Sequence, residues 1–556
     1  NPKYSAAYNN IGNVYKDQGK IGSAVDSYKK AIFIDPNYGD ALSNLGKLIT
    51  NIRFKKSDPE MEKIILKILN HKTYVRPRDI ANAVISLIKC DQNLPNILEK
   101  QKHIYDLPTL KNIIRDLSKL TLLLKFMSLA SIPDLELEGL FTKIRENILL
   151  FISKLVSSKE ILEFQSALAL QCFTNEYIYY EKDKEIDFLK ELEDTVTSSL
   201  SNGKQPEPNI LLCLASYKAL NQYEWCDKLK VTSEIEEVYN RQVTEPIYEG
   251  KLKSSIPILE EIKDEVSSKV RNQYEANPYP RWVNVGLSMK PAPIFKLVND
   301  LSLKIFDKDI IKVESPNILI AGCGTGQHSI VVPFRFKKSK VLAIDLSLSS
   351  LAYAKRKSRE LGVLGIEYMQ ADILDLGKLD RKFDIIESVG VIHHMDNPMD
   401  GWRVLTSCLK KGGLMLVGLY SELARANIVK IRKEIDESAI KSNEIEMKNF
   451  RNELLKSIKP HHIETKYWQD FYSLSEFRDL LFHAKEHRFT LSRIEESLSN
   501  LGLKFCGFIQ REIVDDFKLS HPDSEDLYNL SKWDTYEKSN PKAFRRMYQF
   551  WCQKIC

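Results

Sequence analysis

The chain has 556 residues, 43% of them hydrophobic, which is enough for three or four domains with apolar cores. Its 81 basic and 75 acidic residues leave a net charge of +6, and this near balance argues against nucleic acid as the main partner. The nine cysteines form no Cys-x-x-Cys pair and no apolar run is long enough to cross a bilayer, so we expect no metal site, no membrane partner and a cytoplasmic protein with reduced thiols.

The first residues carry the signature of a helical repeat. The residues that match the tetratricopeptide (TPR) pattern are Tyr8, Ile11, Gly12, Tyr15, Ala24, Tyr28, Ala31 and Pro36. Pro2 lies one 34-residue period before Pro36, and Gly46 lies one period after Gly12. We therefore predict TPR repeats over residues 1–54, in an array truncated at its N-terminus. Such arrays present concave surfaces, so we expect a protein or peptide partner here.

Two further regions follow. Residues 55–245 are helical in period and predict an α-helical domain without visible chemistry. Residues 273–282 are rich in proline and aromatic residues and are predicted not to form a regular helix. A third domain is placed over residues 246–420 and 489–556, interrupted by a helical insertion or lid at 421–488.

Strand and helix patterns alternate in the third domain, which predicts a doubly wound α/β fold, a parallel sheet with helices on both faces. The predicted strands are 317–321, 340–345, 365–369, 383–387, 414–419, 504–510 and, as a final edge strand, 547–553. The predicted helices are 327–334, 348–361, 399–410 and 495–501.

A glycine-rich turn follows the first predicted strand. Gly322, Gly324 and Gly326 come directly after the apolar run 318–320, and a second apolar run ends in Asp345. Glycines let the backbone approach a ligand closely, and a carboxylate at the end of the next strand can accept ribose hydroxyls. The pair predicts a nucleotide-cradling βαβ unit.

Residues 315–420 resemble the class I S-adenosylmethionine-dependent methyltransferases. The ordered motifs that carry the resemblance are Ala321–Gly326, Ile344–Ser347, Gln370–Ile373, Phe383–Ile386, Gly390–Met395 and Lys411–Leu414. The proline-rich segment and the TPR start also resemble a bacterial subgroup of repeat-fused methyltransferases. The resemblance implies a Rossmann-like sheet, S-adenosylmethionine as the cofactor and methyl transfer as the activity.

The resemblance also implies cofactor-binding residues: Ala321, Gly322, Cys323, Gly324, Gly326, Asp345, Leu346, Asp372, Ile373, Glu387 and Ser388. Asp345 would accept the ribose hydroxyls in a charge-assisted contact, and Asp372 would accept from the adenine amino group. Gly322 and Gly324 would admit the methionine part of the cofactor.

The acceptor side is less defined. His393 and His394 follow the fourth strand and are candidate catalytic bases, although a capping or packing pair is an equal alternative. Tyr279 and Arg281 are candidate substrate-binding residues, or they join the helical region to the catalytic domain. His483 and His487 have metal-ligand spacing on a predicted helix, but no third ligand is identifiable, so a surface helix face is preferred.

The leading hypothesis is therefore a methyltransferase whose TPR and helical region selects a protein or peptide partner. One alternative is a small-molecule methyltransferase with repeats used only for assembly, and another is a catalytically inactive interaction protein. A dinucleotide-dependent oxidoreductase is disfavoured, because its fingerprint needs a third glycine where Gln327 stands. The acceptor and the oligomeric state stay open.

Overall fold

A seven-stranded sheet forms the centre of the catalytic domain. The computed structural model describes residues 4–101, 104, 106–287 and 290–555, so Pro2 lies outside the described residues. The strands are β1 Asn317–Ala321, β2 Lys340–Asp345, β3 Ile366–Gln370, β4 Phe383–Val389, β5 Leu409–Leu419, β6 Leu503–Phe508 and β7 Tyr548–Lys554. Their order is β3-β2-β1-β4-β5-β7-β6, with β1 to β5 parallel and β7 antiparallel to both of its neighbours.

Helices cover both faces of this sheet, which confirms the doubly wound α/β fold. Leu319 and Leu342 point into one apolar core, while Ile318 and Ile320 point into the other, as expected for strands buried on both sides. The helices of this domain are Glu245–Leu252, Glu265–Ala276, Ile294–Asp300, Gln327–Arg335, Leu348–Glu360, Pro398–Cys408, Leu491–Asn500, Arg511–Ser520 and Leu530–Ser539.

The N-terminal region is helical throughout, beginning with the antiparallel repeat pair. Gly12 faces the ring of Tyr28, where an added Cβ would lie 2.6 Å from a ring carbon, so the repeat requires glycine there. The helices are Ser5–Asp17, Ile21–Ile34, Gly39–Leu48, Pro59–Asn70, Ala81–Ile88, Leu94–Lys100, Leu107–Ser118, Thr121–Met127, Leu135–Leu150, Lys159–Thr174, Asp183–Ser201, Pro208–Ala215 and Glu236–Tyr239.

The insertion at residues 421–488 packs with the N-terminal region. Its helices are Ala426–Glu437, Glu444–Lys456, Pro460–Thr465 and Leu474–Leu481. Their buried residues, including Ile431 and Phe477, belong to the same apolar core as those of the N-terminal helices. Arg451 and Glu138 form a buried bidentate ion pair across this contact, at 2.6 and 2.7 Å. The insertion is thus a part of the helical body that reaches back to the sheet.

Two expectations about local structure were wrong. Strand β7 is not an edge strand, because it lies between β5 and β6 and leaves β6 at the edge. Its consecutive apolar residues Phe550, Trp551 and Cys552 are buried on both faces, which is typical of an interior strand. The first residues of the segment 273–282 belong to a helix that continues to Ala276. Pro278 restricts only the residue before it, so the helix can extend almost to that proline.

Candidate active site

A cavity of about 310 Å³ lies at the carboxyl ends of β1 to β4, where doubly wound sheets bind their ligands. Its walls come from the glycine turn, the ends of the strands, the helix Glu265–Ala276 and the insertion. The predicted residues that line it are Gly322, Cys323, Gly324, Asp345, Leu346, Asp372, Ile373, Tyr279 and His394.

Asp345 ends β2 and faces the cavity. Its two carboxylate oxygens each accept one backbone N–H, from Gly324 at 2.8 Å and from Ser347 at 3.0 Å. Burial raises the pKa of Asp345, and these backbone hydrogen bonds oppose the rise. Each oxygen keeps a lone pair, so the carboxylate can accept both hydroxyls of a ribose.

The glycine turn is held by a strap, residues 277–282. The backbone oxygen of Tyr279 accepts from the N–H of Thr325 at 3.3 Å, and the Trp282 indole donates to the Thr325 carbonyl at 3.2 Å. Gly324 has a φ of +52°, and a Cβ there would lie 2.8 Å from the Tyr279 oxygen. Glycine is therefore required at this position by the strap as well as by a ligand.

Asp372 lies after β3, beside the position predicted for adenine. One carboxylate oxygen accepts the N–H of Leu374 at 3.0 Å, which fixes the side chain at the cavity wall. Burial raises the pKa of Asp372, and a hydrogen bond from Ser267 opposes this rise. The carboxylate can still accept from an amino group, with Ile373 beside it as the apolar wall.

Another part of the cavity wall holds a carboxylate among tyrosine side chains. Asp479 accepts a hydrogen bond from the hydroxyl of Tyr274 at 2.8 Å and a longer one from Tyr420 at 3.4 Å. Tyr279 lies beside Tyr274, with ring centroids 6.1 Å apart. Asp479 is 7% exposed and is contributed by the insertion helix Leu474–Leu481.

Three buried histidines form a cluster beside this carboxylate. His394 Nδ1 lies 2.7 Å from the carbonyl oxygen of Lys485, and so carries the proton that it donates there. Nε2 of His394 lies 3.1 Å from Nε2 of His393. Because the proton of His394 is on Nδ1, Nε2 of His394 accepts this hydrogen bond and Nε2 of His393 donates it. Burial lowers the pKa of His394 to about 3, so the ring is neutral and its lone pair is occupied.

His483 is buried at 3% exposure and follows the end of the helix, so the expectation of a surface helix face was wrong. Ligand atoms of His394, Asp479 and His483 lie within 4.8 Å of one another. The N–H of Lys485 donates to His483 Nδ1 at 3.2 Å, which puts the ring proton on Nε2, facing Asp479 at 3.9 Å. At 3.9 Å this nitrogen makes no hydrogen bond to Asp479, and in this protonated form it cannot ligate a metal.

A second polar cluster has its ligand atoms already paired by hydrogen bonds. Nε2 of His461 and Nε2 of His462 lie 2.7 and 2.9 Å from the two oxygens of Glu434, and Lys459 contacts the same carboxylate at 3.1 Å. Ser457 hydrogen-bonds to the remaining nitrogen of His462. Each ligand atom already has a hydrogen-bond partner.

Several predicted residues lie outside the cavity walls: Ala321, Gly326, Glu387, Ser388, His393 and Arg281. Glu387 lies behind the cavity, where Arg335 donates to both of its oxygens at 2.6 Å. Arg281 instead pairs with Glu176 of the N-terminal region at 3.4 Å and stacks on Phe173. Their functional roles stay predictions.

Sequence reasoning missed Asp479, Tyr420 and His328, which all line the cavity. Asp479 had no local signal, because it lies in a polar helical stretch 134 residues after Asp345 in the chain. His328 could have been found, since it stands two residues after the last glycine of the turn, at the start of the following helix.

Comparison with known protein families identifies two domains of the chain. Residues 318–413 match the family described as "Methyltransferase domain", and residues 12–49 match the "TPR repeat" family. The chain carries a class I S-adenosylmethionine-dependent methyltransferase domain and an N-terminal TPR repeat. The cofactor of this methyltransferase domain is S-adenosylmethionine. The roles of Asp345, Asp372 and the glycine turn in holding it stay predictions.

The similar proteins are distant. An uncharacterised protein of Synechococcus sp. is 28% identical over 236 residues, covering 40% of this chain and 56% of that protein. A malonyl-[acyl-carrier protein] O-methyltransferase of Priestia megaterium is 28% identical over 152 residues, covering 27% of this chain and 50% of the enzyme. The chain thus spans about half the length of these curated relatives.

Among solved structures, PKMT2 from Rickettsia typhi in complex with AdoHcy is 16% identical, with a TM-score of 0.37 over 50% of this chain and 55% of that chain. Magnesium protoporphyrin IX methyltransferase from Synechocystis PCC 6803 with bound SAH is 12% identical, with a TM-score of 0.28 over 52% of this chain and all of that one. Within the described ranges, no helix has the length and apolar character needed to cross a membrane.

Proposed function

We propose that this chain transfers a methyl group from S-adenosylmethionine to an amine of a protein or peptide partner, which the TPR and helical region selects. The class of acceptor is inferred from the surroundings of Asp479. It is a buried carboxylate in the cavity wall, and no lysine or arginine among the described residues lies within ion-pair distance of it.

The surroundings of Asp479 fit a cationic amine. The nearest imidazole, His483, has its pKa lowered to about 3 by burial and is neutral. Arg425 lies over the Tyr420 ring but is neutralised by Glu486 at 2.7 Å. A buried carboxylate without a counter-charge is costly, and an ammonium group among tyrosine rings would supply the charge with favourable cation–π contacts.

The residues then have separable tasks. When bound, the cofactor supplies a methyl group on a sulfonium that is ready for displacement. Asp345 holds the ribose and thereby fixes the direction of transfer, and such alignment can lower the barrier by ~7–11 kcal/mol. Asp479 binds the ammonium form of the acceptor and takes the proton that must leave before the nitrogen can attack. Neutral His394 packs against this site without repelling the cation.

The helical body supports selection of a partner. The TPR pair lies in the same molecule as the insertion that contributes Asp479, and both belong to one apolar core. A partner bound along the N-terminal helices would therefore present its amine to a cavity wall that the same body supplies.

The test is transfer of a tritiated methyl group from S-adenosylmethionine to a whole lysate, separated into protein and small-molecule fractions. We expect label in protein that resists alkali, as N-methyl groups do. Asp479→Asn should lower this transfer about 30-fold or more, because the ammonium loses its charged partner. Binding of S-adenosylhomocysteine should be unchanged.

The matched control is Asp400→Asn, an exposed carboxylate that pairs with Arg403. It should leave transfer unchanged. Label only in the small-molecule fraction would favour the small-molecule alternative. Full transfer by Asp479→Asn would refute the amine acceptor, and alkali-labile label would indicate an oxygen acceptor instead.

A further inference from the structure

We infer that a second cavity, between the N-terminal helical region and the catalytic region, binds the carboxylate or phosphate group of an anionic ligand through Arg241 and Arg281. The cavity has a volume of about 640 Å³, which exceeds that of the cofactor cavity. The strap at residues 277–282 contributes to both cavities, because Tyr279 lines the cofactor cavity whereas Pro278 and Arg281 line the second one. The proposed site is therefore distinct from the cofactor site.

The basic groups of the second cavity come from three separate segments. Lys125 belongs to the helix Thr121–Met127, Arg241 to a π-helix at residues 240–244, and Arg281 to the strap. Among the described residues, no carboxylate lies within ion-pair distance of Lys125 or Arg241. Both side chains are thus positive charges without a counter-charge at the cavity wall.

The two arginines keep hydrogen-bond donors available. Arg241 donates to the carbonyl of Ser128 and, at 3.2 Å, to the hydroxyl of Thr174, which leaves three of about five N–H groups free. Arg281 stacks on the ring of Phe173 and donates no hydrogen bond within the described part of the chain. Consecutive residues at the end of one helix therefore hold both guanidinium groups at this cavity, and such groups match the geometry of carboxylate and phosphate oxygens.

The acidic groups of the cavity wall do not neutralise these cations. Two of them, Glu236 and Glu237, are exposed to solvent, which screens their charge. The other four already pair with basic groups of the catalytic side: Glu245, Glu249 and Glu360 with Arg356, and Glu275 with Lys253.

Glu176 is the carboxylate that competes with a ligand for Arg281. Its Oε1 lies 3.4 Å from Nε of Arg281 without forming a hydrogen bond, while its Oε2 accepts the N–H of Ser475 at 2.6 Å. Glu176 and Tyr177 both have a φ of +58°, a strained conformation that occurs preferentially at functional sites. The π-helix that carries Arg241 is a second irregularity of the kind found at such sites.

The experiment is calorimetric titration of the full chain at low ionic strength with two sources of the same anionic chemistry. Inorganic phosphate represents a free small anion, and a hexaglutamate peptide with blocked ends represents an acidic segment of a partner. We expect one saturable site for at least one of these probes. Arg241→Gln and Arg281→Gln should each weaken its binding about 10- to 100-fold, because each removes a charge-assisted contact. The probe that binds more tightly identifies the source of the anion.

The controls separate binding from a structural role of the arginines. Arg53→Gln removes an exposed arginine outside the cavity and should leave the affinity unchanged. Glu176→Gln keeps an acceptor for the N–H of Ser475 but removes the negative charge beside Arg281, so it should strengthen binding about 3- to 10-fold. A purely structural role of Arg281 predicts no such gain.

Three results would overturn the inference. The wild-type chain could bind neither probe, either arginine substitution could leave the affinity unchanged, or Glu176→Gln could fail to strengthen binding. None of these measurements involves methyl transfer, so their failure leaves the proposed function intact, and failure of the proposed function leaves the anion site intact.

Discussion

At the scale of single residues, the buried histidines make the fold sensitive to acid. Burial lowers the pKa of His483 to about 3, whereas an unfolded histidine titrates near 6.5. The unfolded chain therefore binds more protons below pH 6.5, and stability falls as the pH falls from 6.5 toward 3. One such histidine lowers the free energy of unfolding by about 2 kcal/mol between pH 7 and pH 5.

We predict that His483→Gln reduces the difference in stability between these two pH values by about that amount. Urea unfolding followed by circular dichroism at pH 7 and pH 5 measures it. His71→Gln, at an exposed site, serves as the control and should keep the wild-type difference. An unchanged difference for His483→Gln would show that His483 is not held neutral in the fold.

The residues that could be predicted share one property, namely a local pattern. Asp345 was identifiable because it ends an apolar strand some 20 residues after the glycine turn. Asp479 has no such context, and its role depends on an insertion that folds back over the sheet. Strand positions were predicted closely for the same local reason, whereas the place of β7 in the sheet depends on pairing across more than 100 residues, which no local pattern encodes.

At the scale of elements, the helix Leu474–Leu481 is positioned by the N-terminal region. Arg78 donates from Nε to Gln469 at 2.9 Å, and its terminal nitrogens contact Asp470 and Glu476. Glu476 lies one turn before Asp479 on the same helix. Arg78 therefore fixes the element that carries the candidate acceptor carboxylate.

We predict that Arg78→Ala destabilises this helix by about 1–3 kcal/mol, because the buried carboxylate of Glu476 loses its donor. Amide hydrogen exchange in residues 474–481 should accelerate and methyl transfer should fall, while S-adenosylhomocysteine binds as in the wild type. The control is Arg403→Ala, which removes an exposed ion pair with Asp400. Unchanged exchange in Arg78→Ala would show that the helix is held by apolar packing alone.

At the scale of the whole molecule, the helical region and the catalytic region are joined by backbone hydrogen bonds and by the insertion. Val285 and Leu287 of the catalytic region donate backbone hydrogen bonds to the carbonyls of Lys72 and Thr73, at 2.8 and 2.9 Å. The insertion buries its apolar side chains among the N-terminal helices. Removing residues 1–245 would therefore expose the buried face of the insertion, so truncation alone cannot separate partner selection from catalysis.

Deleting the insertion separates the sheet from the helical region more cleanly than removing residues 1–245. Ser421 and Phe489, at the two ends of the insertion, form a β-bridge, and Phe489 donates to the carbonyl of Tyr420 at 2.9 Å. We predict that residues 246–421, joined by a short glycine–serine linker to residues 489–556, fold around the seven-stranded sheet. This fragment should bind S-adenosylhomocysteine without transferring methyl groups, because Asp345 is retained and Asp479 is lost.

The fragment 246–556, which keeps the insertion, should aggregate or bind a hydrophobic dye, since the apolar face of the insertion has lost its partner helices. Thermal unfolding, dye binding and calorimetry of the two fragments test this, and a cooperative, dye-free 246–556 fragment would show that the insertion does not need the N-terminal body.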